Sequence, residues 1–126
     1  MSIIHVVGGK KLEGSVNIQG SKNAALPILA ATLLTKGIQV FENCPQISDV
    51  EEMLEILREL GCRVWKENDK LYVCLPERIQ GKIDKKHIIS MRSSVILLGV
   101  LLGETGNVCI EYPGGCVIGE RPIDLH

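Results

Sequence analysis

The sequence predicts an α/β (α+β) fold, and three observations predict it. Strand-like and helix-like segments alternate along the chain in the order β, α, β, α, β, β. A block of helix, glycine and strand then returns further on, so the pattern is a repeated one. The apolar residues, 45% of the chain, are mainly Ile, Leu, Val and Ala, with only one Trp, two Tyr and one Phe. In 126 residues that suffices for the core of one ordinary domain and argues against disorder.

Residues Ile3 to Ile18 read as strand, turn, strand, with the turn at Gly8-Gly9-Lys10 and with Val16 and Ile18 alternating with polar neighbours. Gly20-Ser21 breaks this pattern and offers an N-cap. The helix that follows is expected from about Asn23 to Leu34, with Pro27 near its first turn, where proline is tolerated. Gly37 ends it, and Ile38 to Phe41 is a short strand. Ser48-Asp49 is expected to cap a second helix, with Glu51 and Glu52 in its first turn, where acids suit the helix dipole. Val50, Met53, Leu54, Leu57 and Leu60 recur at helical spacing, and Gly61 stops the run. Cys62 to Trp65 and Leu71 to Leu75 then predict a hairpin turning through Glu67-Asn68-Asp69.

The repeat is the most informative feature. Ile28 to Glu42 resembles the stretch from Leu97 to Glu111, and the offset from Gly37 to Gly106 is 69 residues. Each copy is an apolar helix, a glycine stop and a short strand ending in Glu. The second copy carries a loop about four or five residues longer, Pro113 to Gly119, before a helix expected near Arg121-Pro122. Loops lengthened on a common scaffold are where function tends to sit. The chain stops at His126, inside that expected helix, which implies a longer natural protein.

Composition excludes several classes. The formal net charge is −1, without the basic excess of a nucleic-acid surface, and the few aromatics leave no base-stacking platform. The longest nearly uninterrupted apolar stretch, Val95 to Leu102, is far short of a membrane span, and the first residues lack a signal-peptide pattern. Five cysteines, Cys44, Cys62, Cys74, Cys109 and Cys116, form no disulfide framework by count and no Cys-x-x-Cys pair, so a metal site has little support and a reducing cytoplasm is the expected location.

Three segments can carry chemistry. Gly20-Ser21-Lys22-Asn23 puts a lysine at a strand-to-helix junction, where backbone N–H groups favour a phosphate or carboxylate; the alternative is an ordinary helix start with a solvated lysine. Ser90-Met91-Arg92-Ser93-Ser94 occupies the equivalent place in the second copy, where Arg92 either joins Lys22 at one cleft or is a lone surface arginine. Cys116 lies in the glycine-flanked loop with Arg121 five residues on, a setting that would stabilise a thiolate. Arg121-Pro122-Ile123-Asp124 would hold a nucleotide or sugar, or merely start a helix. The other four cysteines lie in or beside apolar strands, and the three histidines form no constellation.

Taken together, Gly20 to Pro27, Met91 to Ser94 and Pro113 to His126 resemble the enolpyruvyl transferase family, specifically its UDP-N-acetylglucosamine 1-carboxyvinyltransferase members. The resemblance covers the whole chain, and the Cys116 loop is its most specific part. It implies the inside-out α/β barrel built from repeated βαβαββ units, about one and a half of them here. Residues 1–20 would then be strands of the second domain of a full-length enzyme, and 21–126 an incomplete catalytic domain. It implies transfer of enolpyruvyl from phosphoenolpyruvate to the 3′-hydroxyl of UDP-N-acetylglucosamine with release of phosphate, in peptidoglycan synthesis. No cofactor, metal, nucleic acid or membrane partner is expected.

Carried over position by position, Lys22 and Asn23 match residues that contact phosphoenolpyruvate and the sugar substrate, and Arg92 and Arg121 match arginines of the substrate site. The segment Arg121, Pro122, Ile123, Asp124, Leu125 matches the stretch along the UDP moiety. Cys116 matches the thiol that acts as general acid, can form an adduct with phosphoenolpyruvate and is alkylated by fosfomycin. The departure is length: the aspartate expected to deprotonate the sugar hydroxyl and most of the second domain are not in this sequence, so the isolated chain is expected to be inactive and its unpaired strands to favour self-association. The alternatives are a non-catalytic module that binds a nucleotide sugar or protein, and the sister enzyme 5-enolpyruvylshikimate-3-phosphate synthase, which Cys116 disfavours.

Overall fold

A computed structural model describes residues 3–79, 95–106 and 108. Helix α1 spans Lys22–Ala31 and tightens into a 3₁₀ turn at Thr32–Leu34. Strand β1 is Ile38–Phe41, helix α2 is Ser48–Glu59, β2 is Arg63–Glu67, β3 is Lys70–Cys74 and helix α3 is Val95–Thr105. The strands form one antiparallel sheet in the order β1-β3-β2.

The element boundaries follow local chemistry. Pro27 falls in the second turn of α1, deeper than expected, and has no N–H to offer the Asn23 carbonyl. The α-helix ends three residues earlier than its apolar pattern predicts, where the buried Thr32 hydroxyl donates to the Leu29 carbonyl at 2.6 Å. In α2 the N-cap is Ile47 rather than Ser48, which is the first helical residue. The hairpin turns on two residues only, Asn68 and Asp69, both with positive φ (48° and 60°), the backbone that matches the twist of a two-residue connection.

Leu26, Leu29, Ala30 and Leu33 meet Val50, Met53, Leu54, Ile56 and Leu57 between α1 and α2, and β3 adds Leu71 and Val73. Helix α2 therefore lies between the sheet and α1, and α1 in turn packs on α3 through Leu97 and Leu101. On the outer face of the sheet, Trp65 and Tyr72 are register partners with rings stacked at 5.1 Å, and the Arg63 guanidinium lies 5.9 Å from the Trp65 ring centre.

The helix and glycine parts of the repeat are present in both copies. Gly37 (φ 94°) and Gly106 (φ 68°) both take the left-handed backbone that ends a helical run, and the Gly106 N–H donates to the Leu102 carbonyl at 2.9 Å. The strand expected after Gly106 lies mostly outside the described residues.

The predicted strands between Ile3 and Ile18 do not form. Residues 3–19 are exposed and irregular, with Val7 and Leu12 more than nine-tenths exposed. A strand needs a partner for its backbone groups and a face for its alternate side chains, and this segment finds neither among the described residues.

Candidate functional site

The last residues of the irregular segment do dock. The Gly20 N–H donates to the Asn43 carbonyl at 3.0 Å, the Gln19 side chain accepts from the Gln46 N–H at 3.2 Å, and Asn43 Nδ2 reaches the Ile18 carbonyl at 3.4 Å. A Cβ on residue 20 would stand 2.5 Å from the Asn43 oxygen, so glycine is what permits this approach. Asn43 itself sits at φ 55°, turning the chain after β1 to face Gly20.

That contact fixes where α1 begins. Ser21 is extended at the N-cap, and its carbonyl accepts from Ala24 and Ala25, but no side chain caps the helix start. The first N–H groups of α1 are therefore left without a side-chain cap, a setting in which an anion can bind. Lys22 is the first helical residue and Asn23 the second, both exposed. A cavity of about 140 Å³ runs along the side of α1, lined by Ser21, Ala24, Ile28, Phe41 and Cys44 among others, and neither Lys22 nor Asn23 lines it.

Lys22 does not stand free. Its Nζ donates to Asp49 Oδ2 at 2.8 Å, joining the start of α1 to the start of α2. This hydrogen bond is the main reason the Asp49 carboxyl lies below its ordinary range. Both side chains remain roughly half exposed, so a ligand can reach them. The sequence places Asp49 only in the expected cap of the second helix; its partner lies 27 residues away at the start of another helix, and no local spacing signals the pair.

Two other hollows differ in character. One of about 270 Å³ is lined by Lys66 and Lys70, but these pair with Glu51 and Glu42 at 2.6 Å each. A wider one of about 920 Å³ lies past the opposite end of α1, near Lys36, Arg78 and Glu104. Among the described cysteines, burial pushes the Cys62 thiol up to about 11 and also raises Cys44, which fits core packing rather than reactivity. No cluster of three metal-ligating side chains occurs among the described residues, and no helix there is long and apolar enough to cross a membrane.

Of the sequence-predicted site, Lys22 and Asn23 are thus placed together at the open start of α1. Arg92, Cys116, Arg121, Pro122, Ile123, Asp124 and Leu125 lie outside the described residues.

Comparison with known proteins bears on the whole chain. Over all 126 residues it is 43% identical to UDP-N-acetylglucosamine 1-carboxyvinyltransferase 2 of Caldanaerobacter subterraneus subsp. tengcongensis, covering 30% of that protein. It is 46% identical to the enzyme of that name from Methylacidiphilum infernorum (96% of this chain, 28% of that one) and 41% identical to that of Dichelobacter nodosus (100% and 30%). The chain therefore spans about 30% of the length of the curated relatives it matches. The crystal structure of the enolpyruvyl transferase NikO from Streptomyces tendae superposes with a TM-score of 0.69 at 24% identity, over 79% of this chain and 23% of that one, so the fold is that of an enolpyruvyl transferase. The family model for EPSP synthase (3-phosphoshikimate 1-carboxyvinyltransferase) matches residues 6–126, and the chain belongs to that family.

Proposed function

We propose that this chain is the amino-terminal part of a UDP-N-acetylglucosamine 1-carboxyvinyltransferase, which moves enolpyruvyl from phosphoenolpyruvate to the sugar 3′-hydroxyl in the first committed step of peptidoglycan synthesis, in the cytoplasm. What carries the reading is the chain-long likeness to enzymes of that name, in a sequence that holds Cys116 in its glycine loop. The open start of α1 under Lys22 supports it, since both substrates bring anionic groups.

In the proposed reaction Cys116 gives its proton to the methylene carbon of phosphoenolpyruvate while the sugar oxygen bonds to the adjacent carbon. The hydroxyl proton leaves to an aspartate that this sequence does not contain. The bond from that carbon to the phosphate oxygen then breaks, phosphate departs, and the methyl group loses a proton to restore the double bond. Lys22, Arg92 and Arg121 offset the anionic charge, and Asn23 and the stretch Arg121 to Leu125 hold the sugar and its UDP. Residues 1–20 belong, in this reading, with the second domain, and their exposed apolar side chains support that. Self-association of the isolated chain is part of the same proposal: β1 lies at the sheet edge with Ile38 61% exposed.

The test is titration with UDP-N-acetylglucosamine followed by fosfomycin and peptide mass mapping. Adduct at Cys116, with Cys62 unmodified and no turnover by the chain alone, is the expected result. Binding without adduct favours a non-catalytic nucleotide-sugar module instead. Binding of shikimate 3-phosphate in place of the UDP-sugar points to the sister enzyme named by the family model.

A further inference from the structure

We infer that Asp49 is a positioning residue for Lys22, holding its ammonium over the open start of α1 for the anionic end of the substrate. The inference rests on the role of Lys22 given under Proposed function and adds Asp49, which the sequence marks only as part of the expected Ser48-Asp49 cap.

The start of α1 holds an electrostatic misfit. A lysine as the first residue of a helix stands at the positive end of the helix dipole, which repels it. Its four-carbon stem is flexible, so an unpartnered ammonium would spread into solvent away from the backbone N–H groups it is meant to assist. Asp49 Oδ2 at 2.8 Å counters both effects. The carboxylate is itself held: Oδ1 accepts from the Ser48 hydroxyl at 3.4 Å, and the side chain also accepts from its own backbone N–H. Asp49 is the second residue of α2, so its place follows from the packing of α2 on α1 rather than from a loop. The other lysine–glutamate pairs that bridge elements, Lys66–Glu51 and Lys70–Glu42, brace the hairpin and serve no helix start of α1.

Simple Coulomb repulsion and positioning predict opposite signs, which makes the idea testable. Removing a negative charge beside an anion site should tighten anion binding if charge alone matters. If Asp49 positions Lys22, its loss should weaken binding despite the gain in net positive charge.

The ¹⁵N-labelled 126-residue chain and its Asp49→Asn and Asp49→Glu variants would be titrated with inorganic phosphate and with phosphoenolpyruvate, following the Asn23 amide and the Lys22 ammonium by NMR. The expected result is about fivefold weaker binding in Asp49→Asn, the scale of one half-exposed ion pair, with most of the affinity recovered in Asp49→Glu. An unchanged Trp65 indole signal shows that each variant is folded. Equal or tighter binding by Asp49→Asn overturns the inference and leaves the role of Lys22 intact. Absence of any Lys22 response in the unsubstituted chain removes both. That chain supplies a second reading without ligand: the Lys22 ammonium should exchange its protons more slowly than that of Lys36, and equal rates overturn the proposal.

Discussion

Substituting Gly20 by alanine tests how the start of α1 is built. The added methyl would lie 2.5 Å from the Asn43 carbonyl oxygen, whereas ordinary contact begins at 3.4 Å, so one backbone segment must move by roughly 1 Å. That movement breaks the 3.0 Å hydrogen bond from the Gly20 N–H, a net loss of about 1 kcal/mol. The two neighbouring bonds, Gln46 to Gln19 and Asn43 to Ile18, belong to the same docked segment. Losing all three sets an upper bound of about 3 kcal/mol, and the reduced freedom of the unfolded alanine chain returns about 0.5 kcal/mol. Residues 3–19 are exposed, so the segment yields by peeling away and the core is spared. We expect a loss of about 1–2 kcal/mol in urea unfolding. Amide exchange should accelerate at residue 20 and Gln46 well beyond any change at Leu71 and Val73 in β3. Unchanged exchange at residue 20 and Gln46 would refute the reasoning. So would collapse of the whole core, because it would mean that the contact carries far more than local docking.

Three further outcomes follow from burial and charge. Leu54→Ala, at a fully buried position of α2, should cost about 3 kcal/mol and lower the urea midpoint without changing the antiparallel pairing of the hairpin. Iodoacetamide at pH 8 should leave Cys62 unmodified while the fold is intact, because with its thiol pushed up to about 11 only about one molecule in a thousand is thiolate, and urea should release it to labelling on peptide mapping. The Asp49 carboxyl is depressed by Lys22, so its contribution is present above the unfolded aspartate value and is lost as pH falls through the lower folded value. Stability should therefore decline in that acidic window by at most about 1 kcal/mol on this account, given the exposure of the pair, and Asp49→Asn should flatten that part of a urea–pH series.

Much of the fold is legible because it is local. The spacing of Val50, Met53, Leu54 and Leu57 marks α2, and Ile38 to Phe41 marks β1 residue for residue. The stops at Gly37 and Gly106 are visible because only a positive φ explains a glycine at the same place in both copies. Ile3 to Ile18 misleads for the opposite reason: alternation states that a segment can be a strand, while forming one depends on partners that alternation does not contain. The same division runs through the site. That Lys22 and Asn23 stand at a helix start is readable from the sequence, since a helix start is a local event. Asp49 and the approach of Gly20 to Asn43 are products of packing between elements, and no reading of spacing reaches them.

The stacked pair on the outer sheet face has a practical consequence. Trp65 is the sole tryptophan of the chain, so its fluorescence reports one place: the hairpin, screened by Tyr72 and touched by Arg63. Emission will therefore follow melting of β2 and β3 and should stay nearly silent in the anion binding proposed at Lys22. A flat optical titration accompanied by shifts in magnetic resonance would be the normal behaviour of this molecule.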